Sequence, residues 1–324
     1  MKLFHIGSSG RGAAAMGLPG EALTALYIGL IAWIAHAAQV HYILFPELGA
    51  LSHDVFKRPH GAWARAPVML ALTPLLSGIV GTVLARNFPF GVLAVLLATA
   101  AAVVIIALLR SPIAPAISAG VLPISLGITS WLYPASLLIG LVSLALLSLV
   151  WRRVAPPPPG VPPASDVADD MTEQAPRGYS WLPFFCAFLL AVALLAELTG
   201  WRLILFPPLI VIGFEMFAHA DVCPWAGRPL TLPLACTLGA LAGAGLVTAL
   251  GATPLAAVCS CAAGIVILRV FRLHVPPAIA VGLLPFVIPV VDYRFPLSVA
   301  AGTLLLSAFF LAWRALGKAG WLRF

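Results

Sequence analysis

The sequence predicts an all-α protein, a polytopic membrane helical bundle made of two parallel repeats with about six segments each. Three observations predict this fold class: the composition, the spacing of long apolar segments and an internal repeat. Hydrophobic residues make up 62% of the 324 residues and charged residues only 9%, with a mean hydropathy of +1.06. Soluble domains carry about a quarter charged residues, so this chain lacks the polar surface to face water.

Twelve apolar segments are candidates for membrane spans, because a span needs about 20 mainly apolar residues. In each half the second and fifth segments are short and interrupted by proline, so we expect ten to twelve transmembrane helices, some of them broken. The segments cover approximately 22–39, 41–56, 66–85, 90–109, 112–130, 132–151, 182–200, 203–218, 230–250, 253–270, 275–290 and 295–315.

These segments divide the chain into three parts. Residues 1–151 form the first membrane repeat with a short cytoplasmic N-terminus, and residues 181–324 form the second. Residues 152–180 form a Pro-rich acidic cytoplasmic linker with four consecutive prolines, Pro156 to Pro159. Tandem prolines favour extended chain and an acidic run has little to bury, so we expect this linker to be solvated.

The basic residues indicate how the chain is oriented. If all twelve segments span and the N-terminus is inside, fifteen Lys and Arg residues lie inside, and only Arg86, Arg202 and Arg294 lie outside. This bias follows the positive-inside rule, so we expect an integral protein of the bacterial inner membrane with both termini cytoplasmic. The net charge of +7 is scattered singly over segment ends, which argues against nucleic-acid binding.

The chain contains an internal duplication. Ile43-Leu44-Phe45-Pro46 recurs as Ile204-Leu205-Phe206-Pro207 at an offset of 161. A longer set of identical residues, several of them Pro and Gly, runs from Arg110 to Gly140 and recurs from Arg272 to Gly302 at an offset of 162. An even number of segments in each copy predicts parallel repeats related by a pseudo-twofold axis along the membrane normal.

Glycine-rich stretches occupy matching segments of the two copies. One is Gly78-Ile-Val-Gly81, and the other runs from Gly239 through Gly243 to Gly245. Small residues allow helix backbones to approach closely. We therefore interpret both stretches as helix-packing surfaces.

Ionisable side chains at membrane depth are costly and mark candidate functional sites. The second segment of each copy carries Glu47 and Asp54 in the first and Glu215 and His219 in the second, with Glu215 opposite Asp54. Asp54 and His219 could equally cap helix ends near the inner interface. Glu47 follows Pro46 at a helix start, where a carboxylate complements the helix dipole, so a cap and a proton relay are both open.

The Pro-rich entries to the fifth segments are a second candidate site. Pro115 starts that segment in the first copy, and His274, Pro276, Pro277 and Ala278 start it in the second. Proline suits the first helical turn, and unpaired amides after it would form an anion site. We expect those amides to belong to Ala278, Ile279 and Ala280, with His274 beside them; an interfacial histidine next to well-packed helices is the alternative.

The stretch from Phe206-Pro207-Pro208 through Arg228-Pro229 to His274-Val275-Pro276-Pro277-Ala278 resembles the HPP family of integral membrane proteins. Val275 separates the histidine from the two prolines, and Pro112 stands at the equivalent position of the first copy. Members of that family are linked to nitrite transport. The resemblance therefore implies a small anion as the substrate.

Together these features predict a transporter or channel-like permease for a small polar solute, with a small anion such as nitrite as the substrate. No catalytic, nucleotide-binding or metal-binding motif is present, so we expect no enzyme activity, no cofactor and no metal. A non-catalytic membrane subunit or scaffold is the alternative, followed by an intramembrane enzyme acting on a lipid. The expected partners are the bilayer and a small molecule or ion, and homo-oligomer formation is left open.

Overall fold

The computed structural model describes residues 10–155, 164–174, 176 and 178–318. Within these ranges the chain forms fourteen α-helices joined by turns and short 3₁₀ segments, and it contains no strand. The helices are α1 (Gly10–Ala38), α2 (Glu47–Lys57), α3 (Ala62–Arg65), α4 (Pro67–Asn87), α5 (Val92–Leu109), α6 (Ala116–Leu126), α7 (Leu132–Val154), α8 (Ala164–Thr172), α9 (Leu182–Thr199), α10 (Pro207–Ala218), α11 (Thr231–Leu250), α12 (Pro254–Phe271), α13 (Pro277–Leu283) and α14 (Arg294–Lys318).

Eight of the described helices are long and apolar enough to cross a membrane: α1, α4, α5 and α7 in the first repeat and α9, α11, α12 and α14 in the second. They expose large apolar side chains such as Leu26, Leu108 and Leu198, which suit contact with lipid. The prediction of a polytopic helical membrane bundle is confirmed.

The second and fifth segments of each repeat are the short helices α2, α6, α10 and α13. The longest of them has 12 residues, which is about 18 Å at 1.5 Å per residue against a hydrocarbon core of about 30 Å. Each begins beside a proline: Pro46, Pro115, Pro207 and Pro276. Proline suits these positions, because it lacks an N–H and the first amides of a helix have no intrahelical partner. The twelve predicted segments are therefore eight long helices and four short ones.

The duplication extends to the backbone. Arg110 and Arg272, at equivalent positions, both end a helix in the left-handed conformation, with φ of 48° and 51°. In both copies, moreover, a glycine of the third segment lies against a backbone carbonyl of the fifth. A Cβ on Gly81 would collide with the carbonyl oxygen of Gly120, and one on Gly243 with that of Gly282.

The two repeats pack through equivalent pairs of helices. Helix α1 packs on α12, and the equivalent helix α9 packs on α5. In the same way α2 packs on α13 and α10 packs on α6. These equivalent contacts bring the four short helices together between the repeats, as expected for a pseudo-twofold axis between parallel repeats.

The bundle has two distinct ends. Arg86 donates to the carbonyl oxygen of Thr129, Arg202 reaches the nearby Gly127, and Arg294 lines the same surface depression as Arg202. The three arginines predicted outside therefore share one end, which we call the opposite end. The other end, called the linker end, holds α8 together with Arg58 and Arg65.

The linker differs from its prediction. Its described part forms helix α8, and Asp169, Thr172 and Glu173 are buried. The expectation of a solvated acidic run is wrong for these residues. The reason is tertiary, because basic side chains of the two repeats pair with the linker carboxylates at the linker end.

Candidate functional site

A small cavity, called the central cavity, lies between the two repeats near the linker end. Its volume is about 10 Å³, which is roughly the room that one water molecule needs. Both repeats and the linker contribute to its wall. The lining residues are Trp63, Asp169, Thr172, Glu173, Glu215, Trp225, His274, Pro276 and Pro277.

Two tryptophans from equivalent loops hold the cavity wall in place. Trp63 and Trp225 are related by the repeat offset of 162. Trp63 Nε1 donates to the carbonyl oxygen of Pro112 at 2.9 Å, and Trp225 Nε1 donates to that of Ile212 at 3.4 Å. Each indole is thereby fixed to its own repeat, so the cavity lies where the two repeats meet.

Glu215, in the last turn of α10, is the carboxyl of this cavity with the least compensation. It is 2% exposed, and its Oε2 has no hydrogen-bond partner. An uncompensated carboxylate in an apolar interior costs several kcal/mol. Glu215 is therefore suited to take up a proton or a cation.

Glu47 is a second buried carboxyl without hydrogen-bond partners. It lies in the first turn of α2, is fully buried, and neither of its oxygens makes a hydrogen bond. The hydroxyl of Ser118, in α6, lies beside it, and its charge acts on Glu215. The two unpaired glutamates thus come from different repeats and influence each other electrostatically.

Arg58 gathers the acidic residues of the linker end. Its Nε donates to Asp54 Oδ1 at 2.7 Å, its Nη1 to Asp170 Oδ1 at 3.1 Å, and its Nη2 to Glu173. The side chain is 5% exposed, so these are buried ion pairs. Burial raises the pKa of the Glu173 carboxyl, and the Arg58 guanidinium opposes this shift.

His274 faces the linker. Its Nε2 lies 3.0 Å from Asp169 Oδ2, and Asp169 is itself 3.8 Å from Arg58. The histidine predicted beside an anion therefore has a carboxylate as its neighbour. Three carboxyl groups, those of Asp169, Glu173 and Glu215, line this cavity, and they would repel an anion while ionised.

Two of the three amides predicted to be unpaired, those of Ala278 and Ile279, donate hydrogen bonds. Ala278 N–H donates to the carbonyl oxygen of Val275 at 2.9 Å, and Ile279 N–H to that of Pro276 at 3.0 Å. Ala116 and Ile117, after Pro115, behave in the same way. Each short helix starts with a tight turn whose carbonyls satisfy its first amides. The prediction of unpaired amides is therefore wrong for Ala278 and Ile279.

The predicted site residues fall into several groups. Glu215, His274, Pro276 and Pro277 line the central cavity, and Ala278 follows it in α13. Asp54 belongs to the Arg58 cluster, while Pro115 starts α6 without lining the cavity.

His219 lines a separate pocket of about 220 Å³ at the linker end. Asp221 belongs to the same pocket, and so do Met171 and Gln174 of the linker. Two larger depressions, of about 620 and 280 Å³, lie at the opposite end and share Ile288 and Pro289. Within the described ranges, no group of three or more His, Cys, Asp or Glu residues is arranged to hold a metal ion.

Three residues of this site, Arg58, Asp169 and Glu173, were not among those predicted from the sequence. One signal was available, because Asp54 and Arg58 are four positions apart and so share a helix face. A second was the repeated Trp-Ala pair, Trp63-Ala64 and Trp225-Ala226, in equivalent loops. The pairing of the linker carboxylates had no local signal, because it depends on packing.

Comparison with known proteins supplies no relative. No protein-family model matches this chain, and no curated protein or solved structure matches it. The resemblance to the HPP family therefore stays a prediction.

Proposed function

We propose that this chain is a secondary transporter that moves a small polar solute across a bacterial cytoplasmic membrane and exchanges protons at Glu215 and Glu47. The observation that carries the proposal is Glu215. Its carboxyl is buried with an oxygen that has no partner, and it lines a small cavity between the two repeats. Ionisable groups in such positions in membrane proteins mark ion pathways and proton relays.

A small monovalent anion such as nitrite is the proposed substrate. While its carboxyls are ionised, the cavity opposes an anion. Protonation of Glu215 removes one negative charge and leaves His274 as a nearby donor. An anion and a proton would then enter together, which couples the solute to the proton gradient. Orientation with both termini in the cytoplasm is part of the proposal, supported by the excess of basic residues at the linker end.

The test is uptake into proteoliposomes with and without an inward proton gradient, using nitrite, nitrate, formate and chloride, with a trapped pH dye. We expect proton-dependent uptake of at least one anion, and its loss in Glu215→Gln and Glu47→Gln. Glu197→Gln is the matched control, since Glu197 accepts from Val92 N–H at the opposite end and a glutamine oxygen can do the same. Uptake that is unchanged in both central variants would overturn the role of these glutamates.

A scaffold or non-catalytic membrane subunit is the second candidate, and the small size of the central cavity favours it. The cavity has room for about one water molecule, which is less than nitrite needs. Folded wild-type protein that moves none of the four anions and no protons would favour the scaffold over the transporter.

A further inference from the structure

The two copies differ in chemistry at one pair of equivalent positions. At the repeat offset of 161, Asp54 corresponds to Glu215, and Arg58 corresponds to His219. Each copy therefore carries an acid and, four residues later, a base at the end of its first short helix. In the first copy the two bind each other, with Arg58 Nε 2.7 Å from Asp54 Oδ1.

In the second copy the acid and the base do not bind each other, and both atoms that could exchange a proton are buried. Oε2 of Glu215 and Nε2 of His219 have no hydrogen-bond partner. The difference in residue type is decisive for proton exchange, because a guanidinium does not release its proton in proteins. An imidazole gains and loses a proton near neutral pH.

The C-terminal end of α8 and the two residues after it line two cavities that contain these groups. Glu215 lines the central cavity with Asp169, Glu173 and His274, and the charges of Glu47 and Asp54 also act on it. His219 lines the pocket of about 220 Å³, where Asp221 is the other ionisable group. Thr172 faces the first cavity, whereas Met171 and Gln174 face the second.

We infer that, of the two equivalent acid–base pairs, only Glu215 and His219 exchange protons with water at the linker end, with His219 passing them between the larger pocket and Glu215. This inference rests on the proposed function. Water in the larger pocket delivers a proton to the imidazole of His219, and the imidazolium then gives it to the Glu215 carboxylate through water. The neutral imidazole that remains accepts the next proton. Arg58, bound to Asp54, excludes the first copy from this exchange.

The sharpest test is His219→Arg, because it recreates in the second copy the acid–arginine pair of the first. Proton flux into proteoliposomes, followed with a trapped pH dye, should fall to the level of Glu215→Gln. A positioned proton-transfer group contributes about a hundredfold or more, so the loss should be of that order. His36→Arg is the matched control, since His36 is exposed on α1 near the opposite end. Elution as a single folded species in gel filtration shows that each variant is intact.

A second variant separates proton transfer from a structural role. His219→Ala should also lose flux, and added imidazole should restore it, because the pocket of about 220 Å³ has room for the free base. Loss without rescue would mean that His219 is structural, and unchanged flux in both variants would also overturn the inference. In either case a wild-type flux that depends on Glu215 would leave the proposed function standing. Wild-type protein without flux would instead remove the proposed function itself.

Discussion

At the scale of residues, the centre of the molecule holds two kinds of buried carboxyl. Asp54 and Glu173 each have one oxygen bound to Arg58, whereas Glu47 and Glu215 form no ion pair with an arginine or lysine in the described part of the chain. A buried ion pair is costly to break, because removing one partner leaves the other charge desolvated and alone. The first kind therefore stabilises one arrangement, while the second kind is free to change its charge.

The contribution of the Arg58 cluster to stability is tested by Arg58→Met, which replaces the charged side chain with an apolar one of similar length. We expect the free energy of unfolding to fall by about 3–5 kcal/mol, because four carboxylates lose an ion-pair partner. Arg65→Met is the control, since Arg65 is 56% exposed and pairs with Asp170 alone; it should cost no more than about 1 kcal/mol. Thermal unfolding in detergent measures both, and equal melting temperatures would contradict the stabilising role of Arg58.

A site residue can be predicted from the sequence only where its signal is local. Glu47, Glu215 and His274 stand out because charged residues are rare in apolar segments. The partners of Arg58 do not, since Asp170 is 112 positions away along the chain. The first amides of α13 were assigned wrongly, because a proline start predicts where a helix begins and not how its first turn closes.

At the scale of elements, proline placement predicts where the four short helices begin, because proline suits the first turn of a helix. Helix α8 could not be predicted in the same way. The run Ala164–Thr172 has three aspartates and no basic residue, so it offers no helix-stabilising pair of its own. Its position depends on ion pairs with Arg58, Arg65 and His274, which belong to the membrane repeats.

The close approach of α11 and α13 yields a prediction at this scale. Gly243 and Gly245 lie two positions apart in α11, but only Gly243 meets the backbone of Gly282, and Gly245 faces open space. Gly243→Ala should destabilise the protein by about 1–3 kcal/mol, the usual cost of overpacking. Gly245→Ala should be neutral or stabilising by up to about 1 kcal/mol, because alanine favours the helix. Equal melting temperatures of the two variants would contradict this packing.

At the scale of the whole molecule, the pseudo-twofold relation determines where a site can lie. Register in the sequence and an even number of segments predicted parallel repeats. Which helices meet across the axis was not predictable, because α2–α13 and α10–α6 contacts depend on side-chain packing alone. Those contacts bring the short helices together and place the central cavity on the boundary between the copies.

Parallel repeats require equivalent positions to face the same side of the membrane, and Ser130 and Asp292 are such a pair at the offset of 162. Both are exposed at the opposite end. In a Cys186→Ser background, since Cys186 is the exposed one among the five free cysteines, an impermeant maleimide added to intact cells should label Ser130→Cys and Asp292→Cys. It should label Ser165→Cys, in α8, only after the membrane is opened. Labelling of Ser130→Cys and Asp292→Cys from different sides would mean inverted repeats, and a proton path built on equivalent linker-end groups would then have no basis.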